Sequence, residues 1–298
     1  MYSRISGTGS HLPDRVLANP DSLLKERTGI ATRHIVSEGE TTLDLAEAAG
    51  RKALSSAGVP ADQVDLMIIG SRTPDNVFPN LGCMLQDRLG ISACPAFSLE
   101  ASSSGFLYAL SVANQFVVAG QANAALVIGA DTLSRLSEAT VPAHGATLFA
   151  DGAGAVVLEP SETAGLLSCR IGLTAAARDA DAHTFAQVTA EEDLPQALAE
   201  LEHIVRDDLA AINLRIDDID WLVPHQANRA IIARTVSTLG ISMDRAILTL
   251  TEHGNTGSAS LPVALDVAAK DGRIARGDVL LLETIGGGSN WGSAIIRY

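Results

Sequence analysis

The chain is 298 residues long and 47% hydrophobic, with 35 acidic side chains against 21 lysines and arginines, a formal net charge of −14. This apolar content supports a substantial buried core without covalent staples, and the charge argues against nonspecific binding to nucleic acid or an anionic membrane, which the whole-molecule field would repel. Cys83, Cys94 and Cys169 are odd in number and lack CxxC spacing, which points away from a disulfide framework or a zinc site and toward a reducing, cytoplasmic setting.

The opening MYSRISGTGSHLP has no long apolar or Arg-rich targeting run, and no later segment has the uninterrupted apolar length of a membrane span; no membrane partner and no metal are expected. Aromatics make up only 4% of the chain, and short apolar runs alternate with alanine-rich stretches, as buried strands with covering helices would, so an α/β fold is predicted. In chain order, strands are predicted at Leu66–Gly70 (LMIIG), Ala125–Gly129 (ALVIG), Ala153–Glu159 (AGAVVLE), Trp221–Pro224 (WLVP), Val279–Glu283 (VLLLE) and Ser293–Tyr298 (SAIIRY). Helices lie between them, among them LYALSVANQFVVAG from Leu107 and LPVALDVAAKDG from Leu261.

An internal repeat organises these elements. RKALSSAGVPADQVDLMIIG, from Arg51, matches RDDLAAINLRIDDIDWLVPH, from Arg206, without a gap at an offset of 206 − 51 = 155 residues. Each copy reads helix, acidic turn, buried strand, with Asp62 over Asp217 and Asp65 over Asp220. The same offset lays AALVIGAD, from Ala124, over VLLLETIG, from Val279. Two similar halves, 1–162 and 163–298, are therefore expected, meeting at PSETAG (Pro160–Gly165) with no low-complexity linker and with an active site where they face each other.

Four segments carry chemistry. EASSSGF (Glu100–Phe106) places small residues before a long apolar helix, where a serine serves either as an N-cap or as a nucleophile beside the free backbone N–H groups of a helix start. A serine nucleophile also needs an adjacent general base. PHQAN (Pro224–Asn228) puts His225 at the end of a buried strand, at the mouth of an α/β cleft; a satisfied structural histidine fits the position as well. HGNTGSAS (His253–Ser260) offers the Asn255 amide as donor and acceptor, or is an ordinary loop and cap. GGGSNWG (Gly286–Gly292) exposes backbone N–H groups suited to an oxyanion hole but leads into a strand, so it is not a dinucleotide fingerprint.

Taken in order, ISGTGSHLP, ERTGIATRHI, EASSSGFLYALSVA, LFADGAGAVVLE, DWLVPHQAN, HGNTGSAS and DGRIARGDVLLLETIGGGSNWGSAIIRY resemble the β-ketoacyl-acyl-carrier-protein synthase III family of the thiolase superfamily over nearly the whole chain. The resemblance implies a thiolase-like α/β fold with two similar halves in a five-layered αβαβα arrangement. It also implies acyl transfer from acyl-CoA and decarboxylative Claisen condensation with a malonyl thioester, without a cofactor, by a homodimer that meets an acyl carrier protein. Carried over residue by residue, Ser103 stands where the family has its nucleophilic cysteine, and His225 and Asn255 stabilise the enolate formed on decarboxylation. The backbone N–H groups of Ser103 and Gly287 form the oxyanion hole, and Arg27, Phe78, Asn228 and Ile285 fall at substrate-binding positions, Phe78 at the one reaching into the partner subunit's acyl pocket.

The departures are specific. A hydroxyl replaces a thiol at Ser103, Leu23 stands where an adenine-stacking tryptophan is expected, and Ala230 replaces a basic residue of carrier docking, with Arg229 and Arg234 nearby. The region from Asp179 to Leu194 lacks the expected substrate-loop pattern. Three readings stay open: a ketoacyl synthase altered or trapped at Ser103, an acyltransferase that uses Ser103 and His225 to acylate an alcohol, amine or thiol, and a noncatalytic subunit of a condensing-enzyme dimer.

Overall fold

The computed structural model describes residues 1–19, 25–26, 28–92, 94–140, 147–163, 165–173, 194–285 and 290–298. The first part of the chain supplies β1 (Tyr2–His11), β2 (Val16–Ala18), β3 (Thr32–His34), α1 (Thr42–Ala57), β4 (Leu66–Gly70), α2 (Leu81–Leu89), β5 (Ala96–Leu99), α3 (Gly105–Val118), β6 (Ala125–Thr132), α4 (Leu133–Thr140) and β7 (Asp151–Ser161). The second supplies β8 (Leu166–Leu173), α5 (Leu194–Ala211), β9 (Trp221–Pro224), α6 (Arg229–Leu239), α7 (Leu250–His253), α8 (Ser260–Lys270), β10 (Val279–Ile285) and β11 (Asn290–Arg297).

Local chemistry sets several boundaries. α1 starts at a reciprocal capping box, in which Thr41 and Asp44 satisfy each other's backbone N–H groups, and stops at Gly58 in the left-handed region. α6 is capped by the Asn228 side chain and stops at Gly240, also left-handed. All six predicted strands are present, β4 and β9 with the predicted limits; β1, β2, β3, β5 and β8 were not anticipated.

The main strands form two sheets, ordered β1-β7-β6-β4-β5 and β8-β11-β10-β9. In the first, β4 runs parallel to β5 and β6, and β7 runs antiparallel to β6 and β1. In the second, β9 runs parallel to β10, and β11 antiparallel to β10 and β8. The repeat extends to register: Leu66 pairs with Ala125, and the residues 155 positions on, Trp221 and Leu280, pair in the same way. It extends to side chains too, for the Asp65 carboxylate accepts from the Ala124 N–H at 3.0 Å and the Asp220 carboxylate from the Val279 N–H at 2.7 Å. The short turns Ser102–Ser104 and Gly257–Ala259, and the starts of α3 and α8 that follow them, keep the same spacing.

Side-chain alternation along the strands fills three apolar layers. Leu126 and Ile128 of β6 face α1 and α2 in one core, whereas Ala125 and Val127 face α3 and α8 in a second. Leu280 and Leu282 of β10 close that second core from the other side, and Leu281 faces α5 and α6 in the third. The order of layers is helices, sheet, the α3–α8 pair, sheet, helices, the five-layered αβαβα arrangement of the thiolase-like fold. No helix among the described residues is long and apolar enough to cross a membrane.

Candidate active site

The central pair of helices begins where the two sheets end, and Ser103, His225 and Asn255 lie on the turns and the strand end that surround those starts. Ser102–Ser104 forms a short 3-10 turn between β5 and α3. Ser102 takes φ of +50°, and its N–H donates to the Glu100 carboxylate at 2.9 Å. The N-cap role expected of a serine is not filled: α3 has no side-chain cap, and the Ser104 hydroxyl donates to the Asn290 carbonyl at 3.1 Å. Ser103 is 8% exposed, and neither its hydroxyl nor its backbone N–H has a hydrogen-bond partner among the described residues. An uncapped helix start carries partial positive charge from its unpaired N–H groups, which stabilises a nearby anion.

His225 follows β9, with its N–H donating to the Glu283 carbonyl at 2.9 Å. Its ring is buried at 6% exposure, with Nδ1 2.6 Å from the Ser260 hydroxyl at the start of α8. Burial lowers its pKa to about 4, so the ring is neutral near pH 7. Gln226, 1% exposed, ties this strand end to α7: its Nε2 donates to the Pro224 and Ile247 carbonyls, and its Oε1 accepts from the Thr249 and Leu250 N–H groups.

Asn255 lies just beyond α7. Its backbone pairs with Leu148 and Ala150, and its Oδ1 accepts from the Gly257 N–H at 3.0 Å. With the oxygen held, the Nδ2 group remains without a partner among the described residues and is the donor the site can use. Arg33 supports this loop from below, donating to the Phe149 carbonyl at 3.0 Å beside the Phe149–Asn255 bridge.

The Ser102–Ser104 turn packs against the Gly257–Ala259 turn and against β10 and β11. The Gly257–Ala259 turn also lies against β6, an approach that requires glycine at position 129, where an added Cβ would lie 2.2 Å from the Ser258 carbonyl oxygen. Asp131, at the end of β6 and fully buried, accepts from the Arg72 and Thr73 N–H groups on one oxygen and from the Ser258 N–H and hydroxyl, at 2.8 and 2.6 Å, on the other. It joins the loop after β4 to the turn that follows Asn255.

The remaining expected residues are dispersed. Asn228 caps α6, its Oδ1 accepting from the Ile231 N–H at 2.9 Å, and Ile285 ends β10 packed against the outer core. Phe78 is 92% exposed on the loop between β4 and α2. Arg27 and Gly287 lie outside the described residues. Gln226, Asp131, Arg33 and Ser260 were missed, because each acts through partners far away in sequence. Cys169 is no substitute nucleophile: burial pushes its thiol up to about 12. No cluster of metal-ligating side chains occurs among the described residues.

Two family models match the chain. That of 3-oxoacyl-[acyl-carrier-protein] synthase III covers residues 97–174, and that of its C-terminal region covers residues 209–298. Among curated relatives, the β-ketoacyl-[acyl-carrier-protein] synthase III of Xanthomonas campestris is 44% identical over 100% of this chain and 99% of its own length. The chain belongs to the 3-oxoacyl-[acyl-carrier-protein] synthase III family. A second relative of that name, from Thiobacillus denitrificans, is also 44% identical over the same shares. Among solved structures, the synthase III of Aquifex aeolicus superposes with a TM-score of 0.92 at 34% identity, covering 99% of this chain and 100% of that one. The Pseudomonas aeruginosa enzyme gives 0.90 at 32%, covering 100% and 98%.

Proposed function

We propose that this family member is a condensing enzyme that takes an acyl group from acyl-CoA onto Ser103 and joins it to a malonyl thioester with loss of carbon dioxide. The observation that carries the reading is the packing of the Ser102–Ser104 turn, at an uncapped helix start, against the turn that directly follows Asn255, with neutral His225 bonded to Ser260 at the adjoining start of α8. In the first stage the hydroxyl oxygen attacks the thioester carbonyl, the C–S bond breaks, and the departing thiolate takes up the hydroxyl proton. The Ser103 N–H, with that of Gly287 by resemblance, stabilises the oxyanion; one such donor is typically worth about 2.7–4 kcal/mol. In the second stage the malonyl C–C bond to the carboxylate breaks, its electron pair forms an enolate, and the thioester oxygen takes the charge between the two donors. The enolate carbon attacks the acyl ester, the bond from the acyl carbon to the Ser103 oxygen breaks, and that oxygen takes up a proton from solvent.

The two stages make unequal demands. Decarboxylation needs only His225 and Asn255, whereas acylation needs a nucleophile, and a hydroxyl is far less acidic than a thiol. The alternative reading, acyl transfer onto an alcohol, amine or thiol, draws on the same hydroxyl. Intact-mass measurement with a panel of acyl-CoAs, alongside malonyl-thioester decarboxylation, tests the proposal. An adduct that disappears in Ser103→Ala, with decarboxylation that disappears in His225→Ala, supports it. An adduct without decarboxylation favours the acyltransferase, and neither activity with any donor leaves a noncatalytic subunit. We further place the enzyme in the cytoplasm as a homodimer built around the exposed Val77–Phe78 loop, with an acyl carrier protein delivering the malonyl group past Arg229 and Arg234 on α6.

A further inference from the structure

The contact between His225 and Ser260 decides which ring nitrogen carries the proton. Ser260 is 1% exposed, and the only hydrogen-bond partner of its hydroxyl among the described residues is His225 Nδ1, at 2.6 Å. If the ring donated from Nδ1, the buried serine O–H would have no acceptor, an expensive loss for a sealed hydroxyl. If the serine donates, its proton is satisfied by the ring and the imidazole proton resides on Nε2. A doubly protonated ring is also disfavoured, since burial alone sets the low pKa and no carboxylate offsets it. Nε2 has no partner among the described residues and is the nitrogen left for the site.

We infer that Ser260 is a positioning residue that locks His225 as the Nε2–H tautomer, making it a hydrogen-bond donor to a substrate oxygen and not the base that deprotonates Ser103. The functional half of this statement rests on the condensing-enzyme reading; the tautomer does not. It divides the readings of the site, because a serine acyltransferase of the Ser–His type needs an unprotonated Nε2 facing its nucleophile. With the lock in place, the Ser103 proton leaves with the thiolate, and acylation is insensitive to the histidine.

Two-bond ¹H–¹⁵N correlation spectra of protein labelled at histidine, with the His225 signals assigned by their loss in His225→Gln, test the lock directly. The expected result is a proton on Nε2 between pH 6 and 8. Ser260→Ala should shift proton occupancy toward Nδ1 and lower kcat for malonyl-thioester decarboxylation about tenfold with KM little changed, and Ser260→Thr should restore both. A proton on Nδ1 in the unmodified protein overturns the inference, and so does Ser260→Ala with tautomer and kcat unchanged. The spectrum of the unmodified protein decides the matter even if Ser260→Ala does not fold. An Nε2 proton in a protein that decarboxylates nothing upholds the lock and rejects the condensing-enzyme reading instead.

Discussion

A helix start stabilises an adjacent anion by about 0.3–1 kcal/mol, enough to help a thiol with a pKa of about 8.5 and far too little to ionise a serine hydroxyl. Ser103 sits at such a start without a base in hydrogen-bond contact among the described residues, so acylation is the stage its chemistry limits. Ser103→Cys is expected to raise the rate of adduct formation from acyl-CoA at least ~10-fold, measured by time-resolved intact mass, with decarboxylation little changed. Two other buried groups set opposing pH dependences. His225, lowered to about 4, binds protons less readily folded than unfolded, so its contribution is full above pH 6.5 and is lost as pH falls toward 4. Glu283, raised to about 8 by burial, does the reverse: its contribution is full below pH 4.5 and is lost as pH rises through 8. Glu283→Gln should therefore gain stability relative to the unmodified protein between pH 6 and pH 9 by at least ~1 kcal/mol, measured by urea unfolding across that range.

Elements differ in how plainly the sequence announces them. β4 and β9 were read to the residue because every side chain of LMIIG is buried and WLVP is nearly so, leaving a short apolar run with sharp ends. β1 escaped because its buried positions are Ser3, Ile5, Gly7, Thr8 and Gly9, of which Ile5 alone is a large apolar residue. The site was legible in part for a related reason. Ser103, His225 and Asn255 stand in recognisable local patterns, whereas Asp131 and Gln226 do their work across 127 and 23 residues of chain, and no local pattern marks them. The turn that follows Asn255 depends on one such distant fit. Gly129→Ala would drive a methyl into the Ser258 carbonyl, 2.2 Å away, and is expected to cost about 2–3 kcal/mol in chemical denaturation while abolishing decarboxylation.

At the scale of the molecule, Val77 and Phe78 stand apart among the described residues, 93% and 92% exposed, whereas the next most exposed large apolar side chain, Met1, reaches 72%. Such side by side exposure suits the dimer contact proposed above. Phe78→Asp should convert a dimer into a monomer by sedimentation analysis and weaken acyl-CoA turnover with it. A single sedimenting monomer of the unmodified protein at micromolar concentration would remove the dimer from the proposal.

The 155-residue repeat reaches further than architecture. Ser103 of the turn before α3 corresponds to Ser258 of the turn before α8, and the residue corresponding to Asp131 is Gly286. In one copy the serine is bound by a buried carboxylate and serves only to fasten the chain; in the other the carboxylate is missing and the serine keeps its hydroxyl unspent. The same asymmetry holds one layer away, where Gly70 and Gly105 touch backbone to backbone while their counterparts, His225 and Ser260, are joined by a side-chain hydrogen bond. Duplication thus left one crossing of strand end and helix start to bear the packing and freed its twin to bear reactive groups, each on the opposite half from the other's.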